Sequence, residues 1–132
     1  MILGIGHDIT SIERIDSLLQ GKAGERFKAR ILTDTERAAA SELSGGRLAE
    51  YVAGRFASKE AVSKAFGCGI GGTLSFHDLA IVRSSLGKPE CQLSAAAWEK
   101  LGLAEEQTAV HVTITHDGPL ASAFVVVERL RA

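Results

Sequence analysis

Gly54-Arg55-Phe56-Ala57-Ser58-Lys59-Glu60-Ala61-Val62-Ser63-Lys64-Ala65-Phe66-Gly67 is the stretch on which the reading of this chain turns. It has no Pro, is rich in helix formers, and closes on Gly67, the residue type that most readily takes the left-handed position past a helix end. The pattern predicts a helix from about Arg47 to Phe66, the longest in the chain. Steps of four residues put Val52, Phe56, Glu60 and Lys64 in one row, with Ala53, Ala57, Ala61 and Ala65 in an all-small row beside it. The alanine row lets the helix lie close against a sheet. Glu60 is then expected at the edge of a packed interface, where a neighbouring charge or a metal ion would stabilise its ionised form. A solvated Glu60–Lys64 ion pair, worth roughly 0.2–0.5 kcal/mol, is the simpler reading of the same spacing.

Directly after the helix comes Gly67-Cys68-Gly69-Ile70-Gly71-Gly72. Its bare backbone suits close approach to a ligand, or a flexible connection. It is not a Walker loop, which needs its glycines ahead of a helix and a Gly-Lys-Ser/Thr ending.

At 132 residues, 45% hydrophobic and 23% charged, the chain reads as one domain over 1–132 with enough apolar material for a core. The formal charge of −1 supplies no global basic field, so nucleic acid is not an expected partner. No segment approaches a membrane span and Met1–Asp8 lacks a basic leader, so a cytoplasmic protein is expected. Cys68, Cys91 and the four His show no zinc-type spacing, and both Cys are read as reduced thiols.

Met1–Ile5 reads as a short strand, and Gly4-x-Gly6 brings the chain to Asp8 at an expected strand-to-helix junction. A third glycine at position 9 would be needed for a dinucleotide fingerprint, and Ile9 stands there. Asp8 is then a turn or cap aspartate, or a metal ligand. Thr10-Ser11-Ile12-Glu13 has capping-box spacing ahead of Ile12, Ile15 and Leu19. From Arg14 to Arg30 the segment is basic, with Arg14 and Arg26 on a solvated face or a docking patch for an acidic partner. Thr33-Asp34-Thr35-Glu36 opens another helix, ending near Leu43. Leu79–Val82 and Cys91–Leu93 read as strands about a Ser85–Pro89 turn, and Ser94 caps a helix stopped by Gly102. Val110, Val112 and Ile114 alternate with polar residues before a turn at His116–Pro119 and a second strand, Ala121–Glu128. That second strand is apolar on both faces, to be covered by another subunit or by a helix. The expected class is α+β, a small antiparallel sheet packed on a long helix.

Five blocks, Gly4–Ile9, Arg55–Ala65, Gly67–Gly71, Leu86–Pro89 and Thr113–His116, occur in the order and spacing of bacterial holo-acyl-carrier-protein synthases of the 4′-phosphopantetheinyl transferase superfamily. The resemblance covers nearly the full chain. It implies that superfamily's fold and transfer of the 4′-phosphopantetheine arm of coenzyme A to a serine of acyl carrier protein. It also implies Mg²⁺ held by Asp8 and Glu60, with Lys64 at the phosphates; these three are the expected catalytic residues. Gly67, Gly69 and Gly71 would wall the coenzyme pocket, with Lys88 and His116 on its phosphate groups, while Arg14 and Arg26 dock the carrier. Glu60 would take the serine proton directly or by way of a water on the metal. A homotrimer with shared sites is expected, because the superfamily's two-domain members divide the pocket between their halves. His7, Ser11 and Cys68 depart from the family pattern, and none removes an expected ligand. A nucleotide pyrophosphohydrolase and a non-catalytic coenzyme A binder are the alternatives, the first weakened because the long helix carries only Glu60 beyond Glu50.

Overall fold

The structure, a computed structural model, describes residues 1–130. Strand β1 (Ile2–Ser11) leads into helices α1 (Ile12–Gln20), α2 (Gly24–Ile31), α3 (Asp34–Ala40) and α4 (Gly45–Ala65). Strands β2 (Leu79–Arg83) and β3 (Pro89–Leu93) form a hairpin, followed by α5 (Ala95–Leu101), β4 (Thr108–Asp117) and β5 (Leu120–Arg129). The main sheet has the order β1-β5-β4, antiparallel throughout. The α+β class and the long helix against a small antiparallel sheet are as expected.

The contact between β1 and α4 is unusually close, and both sequences permit it. Side chains alternate across a strand, so Gly4, Gly6, Asp8 and Thr10 share the face turned to α4. A Cβ on Gly4 would stand 1.9 Å from the Ala65 carbonyl oxygen, and one on Gly6 1.9 Å from that of Ala61. Neither position tolerates a side chain. On the helix side Ala57 and Ala61 are fully buried, and from β5 so are Ala121, Ala123, Val125 and Val127. Complete burial of a Val is worth about 1.5–3 kcal/mol. The opposite sheet face is open, with Ile5, Ile9 and Phe124 at 62%, 57% and 42% exposure. No helix of the described residues covers it, which removes one of the two explanations for the doubly apolar β5.

A second anchor was not anticipated. Lys59 is completely buried, and its ammonium donates to the carbonyls of Ile31 (2.8 Å) and Phe76 (3.2 Å) and to the Glu36 carboxylate. Glu36 also accepts from the backbone N–H of Ile81 (2.7 Å) and Thr33 (2.9 Å). Burial pulls the Lys59 ammonium below its ordinary pKa, against the opposing influence of Glu36. One ion pair thereby ties α2, α3, β2 and the Phe76 turn to α4.

Several boundaries shift. Asp8 lies inside β1, not at a strand-to-helix junction, because β1 stays paired with β5 as far as Ser11. Ser11 is the N-cap of α1, accepting from Arg14 N–H at 3.2 Å, since the Thr10 hydroxyl is committed to Asp8. Helix α2 occupies part of the segment expected only to be basic. The Thr33–Glu36 capping box forms as expected, but α3 ends at Ala40, and His116 and Asp117 extend β4 instead of turning.

Gly6→Ala tests the β1–α4 contact. It should cost roughly 1–3 kcal/mol as overpacking, read as a lower urea midpoint. An unchanged midpoint would mean that the strand and helix are not held this closely.

Candidate active site

Strand parity aims Asp8 at α4, and the four-residue row on α4 brings Lys64 to meet it. Lys64 Nζ donates to Asp8 Oδ1 at 3.0 Å and to the His7 carbonyl at 3.2 Å. The Thr10 hydroxyl donates to Asp8 Oδ2 at 3.0 Å. Lys64 therefore pairs with Asp8, and the Glu60–Lys64 bridge of the simpler reading does not form. Among the described residues the Glu60 carboxylate has no hydrogen-bond or ion-pair partner. Its pKa is raised, first by burial and then by the negative charge of Asp8, while Lys64 and Arg30 pull the other way.

Asp8 and Glu60 line one end of a cleft of about 530 Å³. Arg14, Arg30 and the apolar side chains Phe27 and Phe56 are among its other lining residues. The Arg30 guanidinium sits 5.8 Å from the centre of the Phe76 ring. Arg14 is exposed on α1, as expected, and Arg26 lines an adjoining depression with Leu18 and Phe27. The arginine pair thus borders the carboxylate cleft.

Past the end of α4 the glycine loop begins next to Lys64. Gly67 and Gly69 have φ of 79° and 67°, in the left-handed region that disfavours side chains. Gly71 N–H donates to the Leu74 carbonyl at 2.8 Å, closing the loop on itself.

The remaining expected coenzyme residues lie elsewhere. His116 Nδ1 is 3.7 Å from a Glu50 carboxylate oxygen, in a separate cleft of about 260 Å³ lined also by Arg47, Tyr51, Arg55 and Arg83. Lys88 is exposed in the β2–β3 turn, next to Pro89, which lines that second cleft. The two clefts share no lining residue. Tyr51 precedes Glu60 by nine residues, a turn of about 180° around α4 at 3.6 residues per turn. Within one chain, α4 therefore stands between Glu60 and His116.

Sequence reasoning passed over Thr10, Arg30 and the three arginines of the second cleft. Arg47, Tyr51 and Arg55 recur at helical spacing on α4, a signal that was present but reads equally as a solvated face. Arg55 is in fact buried, with its guanidinium 4.1 Å from the centre of the Tyr51 ring.

The paired carboxylates suit a hard divalent cation. Asp8 and Glu60 are oxygen donors, and no group of three or more potential His, Cys, Asp or Glu ligands occurs among the described residues. Mg²⁺ is commonly bound by one or two carboxylates together with water and substrate phosphate. The Lys64 ammonium on Asp8 already shows that this spot accepts positive charge.

The family model described as the 4′-phosphopantetheinyl transferase superfamily matches residues 4–124. The chain belongs to that superfamily. Within it, the chain is 48% identical over 130 residues to the holo-[acyl-carrier-protein] synthase of Bacillus subtilis, with 98% of each covered. It is 45% identical over 130 residues to that of Bacillus cereus, again with 98% of each covered. Its fold matches the crystal structure of a holo-(acyl-carrier-protein) synthase from Bacillus anthracis in complex with CoA (3′,5′-ADP) at a TM-score of 0.83 and 43% identity, covering 98% of both chains.

The raised Glu60 pKa has a consequence for stability. The folded state holds this proton where the unfolded chain releases it, so ionising Glu60 opposes folding as pH rises past the ordinary carboxylate range. Glu60→Gln should melt at higher temperature than the wild type at pH 8, with the gap closing below about pH 4. A variant less stable at pH 8 would mean that attraction to Lys64 and Arg30 outweighs burial.

Proposed function

We propose that the protein transfers the 4′-phosphopantetheine group of coenzyme A to a serine of apo-acyl carrier protein. The products are holo-acyl carrier protein and adenosine 3′,5′-bisphosphate. The observation that carries this reading is the match, along 98% of the chain, to proteins named holo-[acyl-carrier-protein] synthase.

Asp8 and Glu60 are the residues that would hold Mg²⁺, which when bound would neutralise charge on the pyrophosphate. Glu60 is the base we assign, since among the described residues its carboxylate has no hydrogen-bond or ion-pair partner. The serine hydroxyl gives its proton to Glu60 and its oxygen forms a bond to the pantetheine-side phosphorus. The bond from that phosphorus to the bridging oxygen breaks, and adenosine 3′,5′-bisphosphate leaves with the electron pair. Lys64 opposes the negative charge that builds on the phosphates, and Gly67, Gly69 and Gly71 let the loop backbone approach the coenzyme. Arg14 and Arg26 receive acidic side chains of the carrier. We assign neither nucleic acid nor a membrane as a partner, and the cytoplasm as the place of action; among the described residues no helix is long and apolar enough to cross a membrane.

The coenzyme site in this reading is shared between subunits of a homotrimer. Two features support it: Glu60 and His116 line clefts on different sides of α4, and the outer sheet face leaves Ile5, Ile9 and Phe124 uncovered. Lys64 and the glycine loop would come from one subunit, with His116 and Lys88 from its neighbour.

The direct test is incubation with apo-carrier, coenzyme A and Mg²⁺, followed by mass spectrometry of the carrier. Wild type should convert it, while Asp8→Asn and Glu60→Gln should leave it unmodified though folded. Near-normal turnover in either variant at saturating Mg²⁺ would sink the site assignment. The shared site is tested by refolding Glu60→Gln and His116→Ala chains together. Random head-to-tail assembly at equal ratio should restore roughly a quarter of the sites. Mixed trimers no more active than either parent would place both residues in one site within a single chain.

A further inference from the structure

We infer that Lys64 is the resting counter-ion of Asp8, and that the metal ion enters together with the coenzyme's pyrophosphate rather than alone. The inference rests on the reading of Asp8 and Glu60 as the metal-holding pair. Both Asp8 oxygens are already engaged, Oδ1 by Lys64 Nζ at 3.0 Å and Oδ2 by the Thr10 hydroxyl at 3.0 Å. A cation arriving alone meets an occupied carboxylate, with only Glu60 unengaged beside it. It must also displace an ammonium of like charge whose other nearby carboxylate, Glu60, is the metal's second ligand.

Pyrophosphate changes this balance. It brings negative charge and several acceptor oxygens, so Lys64 can release Asp8 and take up phosphate without losing a partner. The side chain is free to make that exchange. It is 51% exposed, whereas Asp8 is 16% exposed, and its flexible stem carries three rotatable donors. Residue Lys64 would thus discriminate between the free metal ion and the metal accompanied by a diphosphate ester. By linkage, metal and coenzyme should each strengthen the binding of the other by the same factor.

The test uses the full-length protein with Mn²⁺ as the probe, followed by the electron paramagnetic resonance signal of the free aqueous ion. Coenzyme A is present or absent, carrier is omitted so that no turnover occurs, and Mn²⁺ held by coenzyme A alone is subtracted from a protein-free titration. Wild type should bind Mn²⁺ at least tenfold more tightly with coenzyme A than without. Lys64→Met should bind Mn²⁺ alone at least tenfold more tightly than wild type and gain less from coenzyme A. Lys64→Arg, which keeps the charge, should bind Mn²⁺ alone as weakly as wild type. Circular dichroism checks that each variant is folded. Lys64→Met binding Mn²⁺ alone no more tightly than wild type would overturn the counter-ion role while leaving Asp8 and Glu60 as ligands. Equal Mn²⁺ affinity of wild type with and without coenzyme A would overturn joint entry. Absence of Mn²⁺ binding in every case, with carrier still modified, would overturn the metal-holding pair and this inference with it, separately from the transferase reading.

Discussion

The approach of β1 to α4 is the constraint on which the site depends. Two glycines facing two alanines let the strand lie where added Cβ atoms would collide with the Ala61 and Ala65 carbonyls. Asp8 is the next residue after Gly4 and Gly6 on the same strand face, so the parity that aims the glycines at the helix aims the carboxylate at it too. On the helix, Lys64 lies between Ala61 and Ala65 in sequence. A close backbone contact is therefore what brings a strand carboxylate within 3.0 Å of a helix ammonium.

That contact sets the distance between α4 and the sheet, and the Lys59–Glu36 pair braces the other side of the helix. Removing one partner from a buried pair typically costs about 3–5 kcal/mol, since the remaining charge is left uncompensated. Lys59 precedes Glu60, and it collects the carbonyl of Ile31, which follows Arg30, and that of Phe76, whose ring lies beneath the Arg30 guanidinium. The anchor thus supports two groups that line the carboxylate cleft without being exposed to it. The active surface and the buried polar network share a backbone.

The legible features followed from short-range pattern. The length of α4, its alanine row, the β4–β5 hairpin and the Thr33–Glu36 cap all come from periodicity or local hydrogen bonding, and each is present. Glu60 and Lys64 were singled out correctly as members of one row, but their partners are set by tertiary contact. The Lys64–Asp8 pair spans 56 residues and the Lys59–Glu36 pair 23, separations at which no local spacing carries a signal. Nothing local signals the burial of Lys59, because a lysine beside a glutamate on a helix normally marks a solvated face. Asp8 is expected at a junction because the strand reads as ending at Ile5 and a helix cap as starting at Thr10, whereas the strand runs on to Ser11 and its glycines serve close packing. The division of the expected coenzyme residues between two clefts was equally hidden, since it depends on which side of α4 each neighbouring strand and turn comes to lie.

The period of two in β1 ties the site to the outer surface of the sheet. Gly4, Gly6 and Asp8 face the helix, while Ile5, His7 and Ile9 face outward, where His7 meets Phe124 at 6.0 Å between ring centres. A slip of one residue in the pairing of β1 with β5 would turn Ile5 and Ile9 toward α4 and Asp8 away from Lys64. The slipped register is blocked on the inner side, because a branched side chain would have to fit where even a Cβ would stand 1.9 Å from a carbonyl oxygen. The packing that excludes it therefore does two things together. It holds the carboxylate over the helix, and it keeps the apolar residues of β1 on the open face of the sheet. Any change that loosens the β1–α4 contact should disturb both surfaces, since the same strand register defines them.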